Sequence, residues 1–345
     1  MKKYDYIIVG QGIAGSLLAW QLLKRGKSVF VINEERAQTS SKVAAGLYNP
    51  ITGRKMVKTW MVDKLFGNIV GFYDKLELEL GATFHHPLAI YRPFISIEEQ
   101  NDWLGSAEDP EFATIVEEAR AESLGIGHIR DPYGGLKLKS CGYVDLPKML
   151  TAFKNYFKSK GIYEERLFSA KEISFENDVV LTKNVKAEKL IYCEGTSNRL
   201  NPFFNYLKFR PVKGEIMDVK LSSTLPHIVN RGVFMIPKKD IVRVGATYDN
   251  HDMTLENTEN GINKLKEKLA KLYTGKFEIV RTYAGIRPAT FDRKPFLGMH
   301  RKEQQIGIFN GLGTKGVSLA PYFSELFARH LEEGVPLMEE VSIDR

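Results

Sequence analysis

The sequence predicts an α/β protein in which a βαβ-type domain is interrupted by a second, α+β domain built on a mixed sheet. Three observations predict it. An apolar strand signal at residues 4–9 runs into a glycine-rich turn and an apolar helix, and a second strand signal follows at 28–32. A similar strand, glycine-rich turn and helix occupy residues 305–331. Between them, strand signals follow one another without alternating helices, which is the pattern of an α+β unit.

The opening unit carries the sharpest signal. Tyr4-Asp5-Tyr6-Ile7-Ile8-Val9 leads into Gly10-Gln11-Gly12-Ile13-Ala14-Gly15, and a helical pattern spans 16–24 before Gly26 ends it. Gly10 serves a tight turn, Gly12 admits close approach of a pyrophosphate to the backbone, and Gly15 lets helix and strand pack closely. The helix N-terminus adds free N–H groups and roughly half a positive charge. A turn without a ligand has little use for three glycines, because each loses more chain entropy on folding than alanine.

At 345 residues the chain is long enough for two domains. Its 43% hydrophobic and 26% charged residues are ordinary for a globular protein. No apolar run reaches the roughly 18 residues of a membrane span. The N-terminus passes from two lysines into a strand, without the apolar core of a secretory signal. Cys141 and Cys193 are too few for a disulfide framework and are expected to be reduced thiols of a cytoplasmic protein. Lys and Arg outnumber Asp and Glu by 49 to 42, a net charge of +7. That excess suits anionic ligands, nucleic acid included, but the scatter of the charges favours a solvated surface.

Along the chain, residues 36–59 form a long polar loop, a length that is usually functional, with a basic cluster at Arg54, Lys55 and Lys58. Helical periodicity covers 60–80, and 83–140 alternates short strands with a charged helix near 107–122. Adjacent His85 and His86 lie on a strand, point to opposite faces and lack further ligands nearby, so no metal site is expected. A helix is expected over 146–159, a buried strand over 188–194, strands within 211–247 and an exposed helix over 256–272. The simplest architecture is discontinuous: residues 1–75, 141–205 and 285–345 form the nucleotide domain, and 76–140 with 206–284 form the substrate domain.

Gly10-x-Gly12-x-x-Gly15, Ala44-Ala45-Gly46-Leu47, Cys193-Glu194-Gly195, Ala284-Gly285-Ile286-Arg287-Pro288 and Gly311-x-Gly313-x-x-Gly316 occur in an order that resembles the D-amino-acid oxidase family. That family comprises FAD-dependent oxidoreductases such as glycine and sarcosine oxidases, and the match spans nearly the whole chain. The resemblance implies a Rossmann-type FAD-binding domain and non-covalent FAD. Its contacts would come from Gly10, Gly12, Ile13, Ala14 and Gly15, then Ser41, Ala44, Ala45, Gly46 and Leu47. Further along they would come from Leu167, Cys193, Glu194 and Gly195, and finally from Gly311, Gly313, Thr314, Lys315, Gly316 and Val317. Where the family carries a ribose-binding acid this chain has Asn33, with Glu34 next, so either residue is a candidate for that contact. Backbone N–H groups from Gly313 to Val317, with Lys315, would stabilise negative charge at the pyrimidine end of the flavin, unless Lys315 is solvated.

The implied activity is oxidation of the C–N bond of a small amine or amino acid by hydride transfer to flavin N5, with oxygen or another acceptor taking the electrons. Arg287 is the first candidate to clamp a substrate carboxylate, its structural alternative being a pair with Asp292. Tyr48 and Tyr248 are weaker candidates that would cap the substrate or simply fill the core. Two other functions remain open: a tRNA-modifying oxidoreductase acting on a base-attached amine, and a flavoprotein subunit for electron transfer.

Overall fold

The computed structural model describes residues 1–53 and 57–345, so Arg54 and Lys55 lie outside the described residues. The first sheet has eight strands. Tyr163–Glu165, Val29–Asn33, Lys2–Val9 and Val185–Tyr192 run parallel in that spatial order. Tyr6, Ile7, Ile8 and Val9 are all buried, as expected of a strand covered on both faces. Val185–Tyr192 then splits its free edge. Its first half pairs antiparallel with Val179–Leu181, and its second half pairs parallel with Ile306–Asn310. Phe296–Met299 closes that side antiparallel to Ile306–Asn310.

This branching sets the position of the site. Val9 lies opposite Tyr192, and Tyr192 lies opposite Ile308, so the carboxyl ends of the first and last strands point to one place. Cys193 N–H donates to Val9 O at 2.7 Å, and Asn310 Nδ2 donates to Gly195 O at 2.9 Å, which ties the three turns together. The helices that follow, Ile13–Lys24 and Gly316–Glu333, pack against each other over one core.

The second sheet also has eight strands, ordered Phe277–Arg287, Val212–Leu221, Val242–Gly245, Val233–Pro237, Ile228–Arg231, Ile90–Pro93, Gly135–Leu138, Val116–Arg120. It is antiparallel except where Ile228–Arg231 meets Ile90–Pro93. Glu259–Leu272, capped by Thr258 accepting from Gly261 N–H at 3.0 Å, buries Leu265 and Leu269 in a second core with Met217 and Val219.

Some elements differ from expectation. The first helix starts at Ile13, three residues before the apolar run, because Gly12 O already accepts from Ser16 N–H at 2.9 Å. The continuous helix expected over 60–80 is two, Val62–Phe66 and Ile69–Leu80, separated at Gly67 and Asn68. No helix covers 107–122. The helix is Ile97–Ser106, started by Ser96 accepting from Glu99 N–H, and Val116–Arg120 is a strand paired with Gly135–Leu138. Local charge pattern lost there to strand pairing, which no local window reveals.

Candidate active site

One connected cavity of about 2510 Å³ runs from the carboxyl ends of the first sheet to the face of the second. At the first turn, a Cβ on Gly10, whose φ is +100°, would sit 2.5 Å from Cys193 O. A Cβ on Gly15 would sit 1.9 Å from Gly10 O. Gly12 caps the helix with no side chain of its own, and the one side-chain contact there among the described residues is Ser41 Oγ, which accepts from Ile13 N–H at 3.3 Å. The result is a helix N-terminus that faces the cavity with N–H groups not taken by a capping side chain, shaped for a phosphate.

Asn33 does not point a free amide at the cavity. Its Oδ1 accepts from Gln11 N–H at 2.8 Å and its Nδ2 donates to Tyr163 Oη at 3.3 Å, so it holds the glycine turn in place. Glu34, on the cavity wall, accepts from Arg36 Nε at 2.7 Å through Oε2. Ala44, Ala45, Gly46 and Leu47 also line the wall, and a Cβ on Gly46 (φ +77°) would meet Val144 O at 1.9 Å. Leu167 marks the outer rim at 65% exposure. Glu194, also on the wall, accepts from Asn201 at 3.0 Å, and burial raises its pKa.

At the far end Gly313, Thr314, Lys315, Gly316 and Val317 line the cavity where the second long helix begins. That N-terminus also lacks a side-chain cap. Lys315 Nζ approaches Thr59 Oγ1 at 3.4 Å, and among the described residues no carboxylate pairs with it. Burial, with Arg293 nearby, lowers its pKa.

Arg287 ends the strand Phe277–Arg287, and its guanidinium lies across Gly214 on the neighbouring strand. A Cβ on Gly214 would stand 2.0 Å from Arg287 Nη2, so a side chain there would push the guanidinium from this position. Nη1 donates to Thr247 O at 3.2 Å and the guanidinium stacks 4.5 Å from the Tyr248 ring centroid. Asp292, the alternative partner expected from the sequence, is instead bound by Arg345 at 2.9 Å. Among the described residues Arg287 has no carboxylate partner, and burial lowers its pKa. Tyr248 is 69% exposed and covers Arg287 at the cavity edge. Its loop is anchored to the sheet, since Lys213 N–H donates to Asp249 O at 2.8 Å and buried Lys213 pairs with Asp252.

Three residues expected at the site lie off the cavity wall. Tyr48 is 1% exposed, its hydroxyl 2.8 Å from His85 Nε2, and His85 Nδ1 is 2.8 Å from Asp74. It is a core residue, because its strand Leu47–Tyr48 alternates and only Leu47 faces the cavity. Gly15 packs helix against turn, and Gly311 (φ +83°) turns the backbone beside Thr290. His86 stacks on Tyr143 with centroids 4.5 Å apart. Among the described residues, no three metal-ligating side chains gather in one place. Lys58 is bound to Glu111 at 2.8 Å. Sequence reasoning missed Gly214, Arg92 and Phe234 on the sheet face. A glycine interrupting a strand pattern was the available signal for the first.

Both cysteines are buried, and burial pushes Cys141 up to about 12 and Cys193 also far upward. Thiolate, the reactive form, is therefore suppressed. A thiol reagent is expected to label neither in the native protein and both after denaturation; rapid native labelling would contradict this burial.

A sequence profile described as FAD dependent oxidoreductase matches residues 5–330. The glycine oxidase of Bacillus licheniformis is 26% identical, over 95% of this chain and 92% of its own. The bifunctional protein ThiO/ThiG of Nostoc sp. is 24% identical over 94% of this chain, and this chain spans about half of that relative's length (52%). The crystal structure of glycine oxidase from Geobacillus kaustophilus superposes with a TM-score of 0.79 at 20% identity, covering 98% of this chain and 96% of its own. The glycine cradle and the two helix ends described above fit FAD, since the glycines let the turn close against Cys193 and the helix ends leave backbone N–H groups facing the cavity. The two suppressed thiols suit a cofactor held without a covalent bond. On the profile match and this geometry together, the chain belongs to the D-amino-acid oxidase family of FAD-dependent oxidoreductases.

Proposed function

We propose that this enzyme oxidises the C–N bond of a small amino acid or related amine. The bound flavin would supply the hydride acceptor, N5, and the product imine would hydrolyse in water. The observation that carries this reading is the guanidinium of Arg287, held at the cavity wall by Thr247 O and Tyr248 with no carboxylate of its own among the described residues. A bidentate carboxylate is the partner its fork geometry fits.

Gly10, Gly12, Ile13 and Ala14 would hold the pyrophosphate, with Ser41 alongside. Glu34 is the proposed ribose contact, because Asn33 is committed to the turn. The backbone from Gly313 to Val317 would face the pyrimidine end, with Lys315 adding positive charge there. Oxygen or another acceptor would take the electrons. Two separate buried thiols suit a reducing compartment, and the cytoplasm is the location we propose.

Anaerobic bleaching of the flavin by a panel of glycine, sarcosine and D-amino acids tests the reading, and a panel that leaves the colour untouched would sink it. Admission of air then separates the acceptors: rapid recolouring indicates oxygen, and its absence another acceptor.

Lys315→Met carries a further prediction. Removing a cation that favours negative charge on reduction should lower the flavin midpoint potential by about 30 mV or more, which is ~1.4 kcal/mol for two electrons. Because burial lowers the Lys315 pKa, its charge is lost at lower pH than an ordinary lysine's. The gap between Lys315→Met and wild type should therefore narrow as pH rises toward the ordinary lysine range. Identical potentials at neutral pH would remove Lys315 from this role.

A further inference from the structure

The sheet facing the cavity holds a second guanidinium that the Arg287 clamp does not use. Arg92, on the strand Ile90–Pro93, is 5% exposed and lines the same cavity. Its Nη2 donates to Gly53 O at 2.6 Å, while its buried Nε has no partner among the described residues. Glu99, the carboxylate nearby, is committed to Arg231 at 2.9 Å. Burial and the neighbouring Arg231 push the Arg92 pKa down to about 10. An enclosed cation without a counter-ion is unfavourable, and an arriving anion relieves it.

The register shows what lies between the two arginines. Val229 pairs with Tyr91 in parallel, which brings the next residue, Asn230, level with Arg92. Asn230 pairs with Phe234, Phe234 with Gly245, and Gly245 with Ile216, so this row crosses from the Arg92 strand to the strand beneath the Arg287 guanidinium. Asn230, Phe234, Gly245 and Ile216 all line the cavity. A Cβ on Gly245 would lie 2.6 Å from Phe234 Cζ, so that ring lies along the floor. Four strand spacings, roughly 19 Å, separate the two strands. None of the carboxylates lining the cavity lies on this sheet: Glu34, Glu35 and Glu194 belong to the nucleotide side, and Asp292 is bound by Arg345.

We propose that the amine substrate is elongated and carries a second carboxylate, which crosses the Phe234 floor and is received by Arg92. This rests on the reading of Arg287 as the clamp for the first carboxylate. A free amino acid reaches only one of the two sites, whereas an N-substituted amino acid with a distal acid reaches both.

The test uses the holoenzyme and two glycines N-substituted with chains of equal length, long enough to span the sheet. One chain ends in a carboxylate and the other in the neutral carboxamide. Wild type should reduce its flavin with a kcat/KM about tenfold or more higher for the diacid, the scale of one charge-assisted contact. In Arg92→Gln that ratio should fall to near one, with the flavin absorbance of the variant showing that it still folds and holds its cofactor. A wild-type ratio near one, a ratio that Arg92→Gln leaves unchanged, or reduction only by an amine carried on RNA would each overturn the second site. Bleaching without the preference defeats this inference alone, whereas no bleaching by any amine defeats the proposed function with it.

Discussion

Gly15→Ala is expected to yield a chain that purifies without colour. The added Cβ would stand 1.9 Å from Gly10 O and 3.1 Å from the Cys193 side chain, in a turn where a Cβ on Gly10 would likewise stand 2.5 Å from Cys193 O. Backbone cannot step aside as a flexible side chain does, so the helix Ile13–Lys24 must move away from the sheet. Overpacking of this kind costs about 1–3 kcal/mol or more, and here it also displaces the N–H groups that face the phosphates. FAD affinity should fall by about a hundredfold or more, equivalent to ~2.7 kcal/mol. Flavin absorbance per chain and a thermal melt with and without added FAD measure it. Gly105→Ala is the control, because a Cβ there meets nothing within 4 Å. A yellow Gly15→Ala protein with native affinity would refute the cradle.

Arg287→Ala should have the second large effect. A clamp of two charge-assisted hydrogen bonds, each about 1.5–3 kcal/mol, makes the expected loss in kcat/KM roughly 10²–10⁴-fold. Arg287→Lys keeps the charge but not the fork, and should recover only part of it. Stability should change little, because Arg287 pairs with no carboxylate among the described residues and its burial disfavours the charged form. Stopped-flow anaerobic reduction and a melting curve separate the two effects. Native reduction rates with lost stability would make Arg287 a structural residue.

Local sequence was most legible where backbone chemistry is local. The glycines at 10, 12 and 15 announced their turn because strand, turn and helix are contiguous, and the structure builds them as Lys2–Val9, Gly10–Gly12 and Ile13–Lys24. The helix Leu146–Ser159 was legible for the same reason, with Asp145 accepting from Lys148 N–H and Pro147 in the first turn. Illegibility began where pairing is distant. Val116–Arg120 has the charge pattern of a helix but finds its partner at Gly135–Leu138. Tyr48 sat beside the cavity-lining Leu47 in sequence, yet the alternation of an extended chain turned it into the core.

By itself the sequence determined the fold class, because the turns that bind dinucleotides need particular residues at short, fixed spacing; the family, and through it the flavin, came from a resemblance carried by several such motifs in one order. Only the tertiary structure decided which cations lack carboxylate partners among the described residues. Arg287 parted from Asp292, and Arg92 was left beside a Glu99 already taken by Arg231. Ion pairing depends on which strands lie side by side and on what burial excludes. Neither property is a function of separation along the chain.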